Sequence, residues 1–250
     1  MSIKTKLFQA ISAEAAHPQV TVDVPAGFKI IGGGALDNWG SGVGNMLTAA
    51  YPQGPNAWFV AGKDHEQSSP ATIIGFAIAI HDPNDEWDVT IQSESGGPDP
   101  HPSATATLPD GYHLTGGGAS VNWTGAGNLL TASFPSGDLT WEARSKDHDV
   151  PDPAVITAYA IGIRHRGGHV NLKRTVQPVT GDNDQHPTAT ACLSSEWTLS
   201  GGGALDNWNG DGNLLTASFP QGKCWSVAGK DHIHPSPATV TAFAIGIRQI

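Results

Sequence analysis

Apolar and polar residues alternate in short stretches along the whole chain, and this alternation predicts β-strands. In residues 155–163, for example, large side chains fall on one phase, while Ala and Gly dominate the other. A period of two residues is that of a strand, in which successive side chains point to opposite faces. No apolar period of 3.6 residues is sustained for three turns, so long helices are not expected.

The order of these stretches repeats three times. Glycine triplets begin at residues 32, 116 and 201, a period of about 84 residues. Each copy opens with His-Pro, and its glycine triplet is followed by a Trp, a Lys-Asp-His triplet and a final apolar strand. Because a period of this size is typical of a structural repeat, we predict one domain over residues 1–250 with three repeats, at about 1–83, 84–166 and 167–250.

Each repeat is expected to begin with an edge or linker strand and to continue with five further strands. In the middle repeat these five are predicted at residues 103–108, 112–115, 129–134, 141–145 and 155–163, with the glycine triplet in a turn. Three such units predict an all-β, three-fold pseudosymmetric β-prism of three antiparallel sheets, each sheet formed by one unit. A β-trefoil is the alternative, although trefoil units are shorter.

In the last strand of every repeat, one of the two alternating sets of side chains is small, consisting mostly of Ala and Gly. A strand face that keeps only Gly and Ala is where backbone approaches backbone. We therefore expect this face to lie around the three-fold axis, with Phe76, Tyr159 and Phe243 in the hydrophobic layer between sheets.

Charge and hydropathy exclude several classes of protein. The 250 residues include 31 Gly and 18 Pro, and they carry a formal net charge of −10 with 13 Lys and Arg. Nucleic acid is not an expected partner, because phosphate binding needs a basic patch. No apolar run approaches the ~18 residues of a transmembrane segment. The first residues are too polar for a signal peptide, so we expect cytoplasmic synthesis, with any release to the outside by another route.

Two cysteines, Cys192 and Cys224, lie in the third repeat, and the matching positions of the other repeats hold none. Cys192 falls on an opening strand and Cys224 beside a central one. Both a disulfide and two free thiols are compatible with these positions.

A loop with polar and aromatic residues follows each glycine triplet. An aromatic ring can stack on the apolar face of a sugar, and amide or carboxylate oxygens accept hydrogen bonds from its hydroxyls. The middle copy has Val121 in place of the aspartate, so its site should differ. The structural alternative is that the Asn closes a turn and the Trp fills the core. The candidate ligand-binding residues here are Asp37, Asn38, Trp39, Asn122, Trp123, Asp206, Asn207 and Trp208.

The identical Lys-Asp-His triplets are the second set of candidates. Their neighbours vary freely, which indicates that the triplet itself has a fixed role. In the functional interpretation, Asp and Lys bind a hydroxyl or a headgroup. In the structural alternative, the Asp bonds the turn backbone and pairs with the Lys, and the His stacks nearby. The candidates are Lys63, Asp64, His65, Lys146, Asp147, His148, Lys230, Asp231 and His232.

Catalytic and metal-dependent functions find little support. Asp and His are adjacent in each triplet, but no Ser or Cys nucleophile recurs with them. Zinc requires three or four converging ligands, and each repeat offers one or two recurring His. Residues 206–212 are weakly similar to a calcium loop, but their counterpart at 120–127 has no carboxylate. We predict no enzyme activity, no cofactor and no metal.

Several motifs together resemble a known family. The glycine triplet, the Asn-Leu-Leu-Thr-Ala-Ser run, Lys-Asp-His and the Ile-Thr-Ala-Tyr-Ala-Ile-Gly-Ile ending are similar to those of three-fold β-prism modules. Such modules are the C-terminal targeting domains of some bacterial membrane-attack-complex/perforin proteins. The resemblance covers nearly the whole chain, but the pore-forming part is absent. It implies a lectin-like architecture, with the Lys-Asp-His triplets in exposed loops that recognise a cell-surface receptor, and it names no ligand.

The main hypothesis is a carbohydrate-binding, lectin-like protein with up to three quasi-equivalent sites. Cell-surface glycans or glycoconjugates would be its partners, bound weakly one by one and strongly when multivalent. The first alternative is a receptor- or lipid-targeting module of a pore-forming toxin system, with a receptor at the membrane surface. The second is a structural protein that binds nothing. The oligomeric state is not predicted.

Overall fold

A computed structural model describes residues 3–40, 42–168 and 170–250. Within these ranges the chain forms eighteen antiparallel strands, six in each repeat. The strands of the first repeat are β1 (Thr5–Ile11), β2 (Gln19–Asp23), β3 (Phe28–Asn38), β4 (Asn45–Pro52), β5 (Ala57–Asp64) and β6 (Thr72–His81). Those of the second are β7 (Trp87–Asp99), β8 (Ser103–Thr107), β9 (His113–Asn122), β10 (Asn128–Pro135), β11 (Thr140–Asp147) and β12 (Ala154–His165). Those of the third are β13 (Leu172–Thr180), β14 (Thr188–Cys192), β15 (Thr198–Asp206), β16 (Asn213–Gln221), β17 (Cys224–Asp231) and β18 (Val240–Gln249). These ranges contain no helix, and so none that is long and apolar enough to cross a membrane.

The strands form three six-stranded sheets, and every sheet combines two repeats. The strand orders are β1-β6-β3-β16-β17-β14, β2-β5-β4-β9-β12-β7 and β13-β18-β15-β10-β11-β8. The prediction of an all-β fold with three antiparallel sheets is confirmed. The expectation that each repeat forms one sheet is wrong, because the loop from β3 to β4, and its counterparts, carries the chain from one sheet to the next. The first strand of each repeat lies at a sheet edge, as predicted.

Where two repeats meet in a sheet, two residue pairs join them. In the sheet shared by the second and third repeats, Ala132 pairs with Leu205 and Ser133 with Ala204. The register of β10 against β11 shifts between Leu130 and Ala132, as in a β-bulge. Beyond Leu205, β15 continues without pairing to β10, so a gap opens between the two repeats.

The glycine triplets lie within β3, β9 and β15 rather than in turns, which corrects the prediction. Their first residues meet around the pseudo-three-fold axis. A Cβ on Gly116 would lie 2.8 Å from Cα of Gly32, and a Cβ on Gly32 would lie 2.9 Å from Cα of Gly201. A Cβ on Gly201 would in turn lie 3.0 Å from Cα of Gly116. Only glycine allows the three central strands to approach so closely.

Neither face of each repeat's last strand lies where it was predicted. A Cβ on Gly75 would meet side chains of Val22 and Val60 in the neighbouring sheet, so the small face borders the layer between sheets and not the axis. The aromatic residues stack on the other face of their own sheet, where a glycine of the intervening strand leaves room. The stacked pairs are Phe76–Phe219, Tyr159–Tyr51 and Phe243–Phe134, with ring centroids 5.5, 4.9 and 5.4 Å apart.

In each repeat, one buried tryptophan connects the strands that the repeat contributes to its two sheets. Each lies on the fifth strand of its repeat and packs against the middle glycine of the triplet in the adjoining sheet. A large aromatic side chain contributes more buried apolar surface than any other residue, so this contact holds the two halves of a repeat together. The pairs are Trp58 with Gly33, Trp141 with Gly117, and Trp225 with Gly202.

A disulfide joins Cys192 to Cys224, which settles the alternatives left open by the sequence. The two residues pair across β14 and β17. The bond closes a loop with a sequence separation of 32 residues.

Loss of this disulfide should lower the free energy of unfolding by about 3–4 kcal/mol, because an open chain gains more freedom when it unfolds. Cys192→Thr/Cys224→Thr is the matched variant, since the second repeat has Thr107 and Thr140 at the same paired positions. Urea unfolding of the parent with and without reductant, beside this variant, measures the effect. A urea midpoint that changes neither on addition of reductant nor in the variant would contradict the prediction.

Candidate functional site

The predicted site residues of all three repeats gather at one end of the molecule, which we call the loop end. It comprises the loops that join β3 to β4, β9 to β10 and β15 to β16. The Lys-Asp-His triplets, where β5, β11 and β17 end, complete it. Because every sheet combines two repeats, each triplet lies beside the glycine-rich loop of the next repeat.

The histidines of the triplets form a closed ring on the axis. Nε2 of His65 lies 2.7 Å from the carbonyl oxygen of His148, Nε2 of His148 lies 2.8 Å from that of His232, and Nε2 of His232 lies 2.8 Å from that of His65. The imidazole centroids are 5.5 Å apart in each pair. We assign the donated proton to Nε2 because, in each ring, Nε2 lies closer to its carbonyl oxygen than Nδ1 does to its own. Each histidine therefore bonds the backbone of another repeat. Nε2 of His148 also lies 3.2 Å from Oδ2 of Asp149.

Each lysine binds the glycine-rich loop of the next repeat. Lys146 donates from Nζ to the carbonyl oxygen of Asp211 at 2.7 Å, and this Nζ lies 5.1 Å from the centroid of the Trp208 ring. The lysine stem packs on Gly212, where a Cβ would lie 2.9 Å from Cε. Each loop ends in a Gly-Asn pair, and the glycine of that pair leaves the space that the lysine stem occupies. The pairs are Gly44-Asn45, Gly127-Asn128 and Gly212-Asn213. The equivalent sets are Lys63 with Ala126, Trp123 and Gly127, and Lys230 with Val43, Trp39 and Gly44.

Each aspartate closes the loop that follows its triplet. The backbone N–H of Asp152 donates to Oδ2 of Asp147 at 3.3 Å, while Oδ1 of Asp147 lies 3.3 Å from Nε2 of His101. His101 also meets the ring of Trp208 edge-on, with centroids 5.4 Å apart. The His-Pro opening, the triplet and the next Trp therefore form one cluster. It recurs as Asp64 with Ser69, His17 and Trp123, and as Asp231 with Ser236, His186 and Trp39.

The exposure predicted for the triplets is wrong for their lysines and histidines, all of which are at most 4% exposed. Their polar atoms instead bind main-chain carbonyls of other repeats, which makes burial tolerable. The structural alternative comes closer, since the Asp bonds the turn backbone and the His rings meet one another, although edge-on rather than stacked. The lysines, however, bond backbone carbonyls rather than the aspartate side chains. Asp64, Asp147 and Asp231 are half-buried.

Burial also determines the charge of this cluster. It lowers the pKa of all three lysines below the ordinary value. It lowers the pKa of His65, and it lowers the pKa of His232 to about 4. These two imidazoles are therefore neutral at neutral pH, with one proton to donate. One proton per ring supplies the closed ring of Nε2 bonds, while Nδ1 of His65 and of His232 faces a further carbonyl oxygen, that of Ala126 or Val43, at 3.0 or 3.2 Å.

Solvent reaches a different subset of the predicted residues. These are Asn38, Asn122 and Asn207, which are exposed, and Trp39, Trp123 and Trp208, which are half-buried. None of these tryptophans is fully buried, although Trp123 packs against the hydrophobic core, so the structural alternative holds in part for that residue. Part of each ring is covered by a lysine and by a His-Pro histidine.

The aspartates that precede these residues are not at the surface. Asp37 and Asp206 are 2% and 3% exposed, and Val121 takes the same buried place in the second repeat. Desolvation raises the pKa of each aspartate to about 8. The expected direct contact of Asp37 or Asp206 with a ligand hydroxyl is therefore not supported by their position.

A groove of about 500 Å³ lies at the loop end, where the second and third repeats meet. It occupies the gap beyond Leu205, beside Trp208 and Asn207. Asn207 donates from Nδ2 to Oγ1 of Thr239 at 3.0 Å, which leaves its side-chain oxygen as an acceptor. The groove-lining residues used below are His101, Ser103, Glu142, Arg144, Asn207 and Trp208.

Glu142 and Arg144 form an ion pair on the groove wall and were not found by sequence analysis. Nε of Arg144 lies 2.6 Å from Oε1 of Glu142. The matching positions hold Phe59 and Ala61 in the first repeat, and Ser226 and Ala228 in the third. A search for residues common to all repeats misses such positions. Positions at which one repeat carries charged residues and the other two do not are the signal that would have found this pair.

Comparisons with known proteins do not identify a family. No protein-family model and no curated protein matches the chain. Among solved structures, it is similar to an atomic structure of Sulfolobus turreted icosahedral virus at 10% identity, over 100% of this chain and 90% of that one, with a TM-score of 0.19. It is also similar to a triple jelly roll fold and turret assembly in an archaeal virus at 10% identity, over 99% and 89%, with a TM-score of 0.20. TM-scores this low carry no argument. Neither structure supports the resemblance to targeting modules of membrane-attack-complex/perforin proteins.

Proposed function

We propose that this chain is a carbohydrate-binding protein, and that its main site is the groove between the second and third repeats. The observation that carries the proposal is the combination of a partly exposed Trp208 with the polar groups of Asn207, Glu142 and Arg144 around one groove. A volume of about 500 Å³ falls in the range of small-molecule sites. One or two sugar rings would fit that space.

The proposed contacts follow ordinary sugar chemistry. The exposed part of the Trp208 ring would stack on the C–H face of a pyranose, and the Asn207 oxygen would accept from a hydroxyl. Arg144 would donate and Glu142 would accept, so the ion pair offers both functions side by side. Glu142 and Arg144 lie on β11, and Asn207 and Trp208 directly follow β15, so the strands limit the entropy that these groups lose on binding.

Binding without turnover is the favoured form of this proposal. Glycoside hydrolysis uses two carboxyl groups that flank the scissile bond. Among the groove-lining residues Glu142 is paired with Arg144, and the side chain of Asp206 points into the interior towards Gly229. The groove therefore lacks a second carboxyl group facing the ligand.

The other two junctions between repeats carry the same Trp, Asn and His-Pro histidine, namely Trp39, Asn38 and His186, and Trp123, Asn122 and His17. We propose them as weaker or differently selective sites, because they lack the Arg–Glu pair. Several sites on one rigid body would raise avidity for dense glycans on a cell surface. A target of that kind would also suit a receptor-targeting module.

The proposal is tested by a glycan array with the intact protein, followed by titration calorimetry with the best glycan. Arg144→Ala should weaken binding about tenfold or more, because a charged hydrogen bond contributes about 1.5–3 kcal/mol. This change copies Ala61 and Ala228, so the fold should tolerate it. Trp208→Ala should weaken binding at least as much.

Arg164→Ala is the matched control, because Arg164 is also about half exposed and also pairs with a carboxylate, Asp88. It should leave affinity unchanged. A blank array from folded parent protein would overturn carbohydrate binding. Glycan binding that survives both groove variants would remove the site from this groove, and binding to liposomes free of sugar would favour the lipid-targeting alternative.

A further inference from the structure

In two repeats, a buried aspartate and a buried asparagine direct oxygens without hydrogen-bond partners among the described residues at the same glycine. Both carboxyl oxygens of Asp37 and Oδ1 of Asn45 have no hydrogen-bond partner among the described residues, and neither side chain is more than 2% exposed. Oδ2 of Asp37 and Oδ1 of Asn45 lie 2.5 and 2.6 Å from the position that a Cβ on Gly62 would take. Asp206 and Asn213 share the same arrangement at Gly229. Two buried acceptors that face one space require a proton between them.

The orientation of the asparagines means that they do not provide this proton. Nδ2 of Asn45 donates to the carbonyl oxygens of Ala16 and Ser69, at 2.8 and 3.4 Å. Nδ2 of Asn213 makes the equivalent pair of bonds. A flipped amide would place its oxygen against two carbonyl oxygens, so Oδ1 must face the carboxyl group. The carboxyl group is then the remaining source of a proton.

The middle repeat indicates which chemistry the site requires. Val121 replaces the aspartate there, and Ser145 replaces the glycine of positions 62 and 229. Asn128 keeps its orientation, with Nδ2 bonded to the carbonyl oxygen of Pro100 at 2.9 Å. Ser145 pairs with Leu130 as Gly62 pairs with Leu47, but its buried Oγ and Oδ1 of Asn128 each have no hydrogen-bond partner among the described residues. The aspartate thus occurs where a glycine makes room for it, and the valine occurs where a serine takes the place of that glycine.

We propose that Asp37 and Asp206 are neutral carboxylic acids at neutral pH, that each donates its proton to the asparagine beside it, and that loss of these protons in alkaline solution loosens the loop end. The two acids join β3 and β15 to the strands that carry the Gly-Asn pairs and the Lys-Asp-His triplets. Ionisation would place an unpaired negative charge against an amide oxygen in the interior.

The charged groups around the two acids are occupied elsewhere. Lys63 on β5 and Lys230 beside Trp39 donate to backbone carbonyls, and Asp64 bonds the N–H of Ser69. Around Asp206, Lys146 lowers the pKa against the larger effect of burial, and its Nζ bonds the Asp211 carbonyl oxygen. Asp231 bonds Ser236 and faces His186, while Glu142 and Arg144 bond each other in the groove.

The raised pKa of both acids fixes the sign of the pH dependence. The folded chain keeps a proton on each group up to about pH 8, whereas the unfolded chain loses it near pH 4. Between these values the folding equilibrium constant should fall about tenfold per pH unit for each acid. Histidine ionisation in the unfolded chain opposes this trend below about pH 6.5, so pH 6.5–8 is the window for the test.

The decisive variant is Asp37→Asn/Asp206→Asn, because Asn keeps a donor for the neighbouring amide oxygen but does not titrate. We expect the plot of the logarithm of the folding constant against pH 6.5–8 to fall with a slope of about two protons in the parent. In the variant the slope should be near zero, with greater stability at pH 8. The exposed Asp23→Asn is the control and should keep the parent slope.

Infrared spectroscopy gives a reading that does not depend on unfolding. The parent at pH 6.5 should show the carbonyl band of protonated carboxyl groups, and the double variant should lose it. A parent without this band, or a variant that is less stable at pH 6.5 and keeps the slope, would overturn the proposal. Stabilisation of the parent by added calcium ion would also overturn it, since that result means an ionised carboxylate binding a cation.

Discussion

Gly116→Ala should prevent the chain from folding. The new Cβ would lie 2.7 Å from the carbonyl oxygen of Ile31 and 2.8 Å from Cα of Gly32. Overpacking among side chains usually costs about 1–3 kcal/mol, because side chains can move aside. Here the obstacles are main-chain atoms of a second central strand, and that strand can retreat only by separating two sheets. We expect a loss above about 4 kcal/mol, which is a large part of the stability of an ordinary domain.

Circular dichroism and urea unfolding of purified Gly116→Ala, or its failure to accumulate as soluble protein, measure this effect. Gly111→Ala is the matched control in the same repeat. Its φ is +84° and no heavy atom lies within 4 Å of the new Cβ, so it should cost only the ~1–2 kcal/mol of a left-handed alanine. Equal unfolding midpoints for the two variants would contradict a backbone contact at the axis.

The architecture could be predicted from the sequence as far as local patterns reach. Alternation of apolar and polar residues with a period of two predicted the strands, and the three-fold repeat predicted three antiparallel sheets. The sharing of sheets between repeats could not be predicted, because the junction rests on two pairs of ordinary residues such as Ala132 with Leu205. The glycine triplet was misassigned for a related reason. A strand interior and a turn both accept glycine, and only the contact between Gly32, Gly116 and Gly201 distinguishes them.

The candidate site was predicted in part. The recurring Trp and Asn do reach solvent at one end of the molecule, because the loops that carry them connect neighbouring sheets. The family resemblance implied that the Lys-Asp-His triplets lie in exposed loops, but carbonyl oxygens from other repeats satisfy their lysines and histidines in the interior. No pattern within one repeat could reveal acceptors that another repeat supplies. The sequence showed that Val121 replaces the aspartate of the other two repeats. Only the structure shows that this position lies close to Ser145, which replaces Gly62 and Gly229.

Acid should unfold this chain through its histidine ring. The folded pKa of His65 is lowered and that of His232 is lowered to about 4, while an unfolded histidine titrates near pH 6.5. The unfolded chain therefore binds protons first as the pH falls below about 6.5. Each of these two histidines should cost about 1.4 kcal/mol per pH unit down to the folded pKa, and have no effect above pH 6.5. Asp37 and Asp206 act in the opposite direction over this range, so the measurement belongs in Asp37→Asn/Asp206→Asn protein.

Two substitutions of His232 separate the charge from the hydrogen bond. His232→Gln keeps a donor near the position of Nε2 and removes the titration. It should reduce the fall in stability between pH 6.5 and 4 without abolishing it, because His65 still titrates, at a small cost near pH 7. His232→Ala leaves a cavity and an unbonded carbonyl oxygen at His65, so it should lose about 3 kcal/mol or more at every pH.

His234→Gln is the control, because His234 lies in the same loop with a side chain that is 55% exposed. It should leave the acid transition where it is. Chemical unfolding at fixed pH steps distinguishes the three variants. If His232→Gln and His234→Gln behaved alike, protonation of the ring would not be what limits stability in acid. Protonation places a positive charge in the buried ring, and burial is the largest cause that lowers the pKa of His65 and His232. Since each Nε2 bond crosses between repeats, the acid transition should be a single cooperative step.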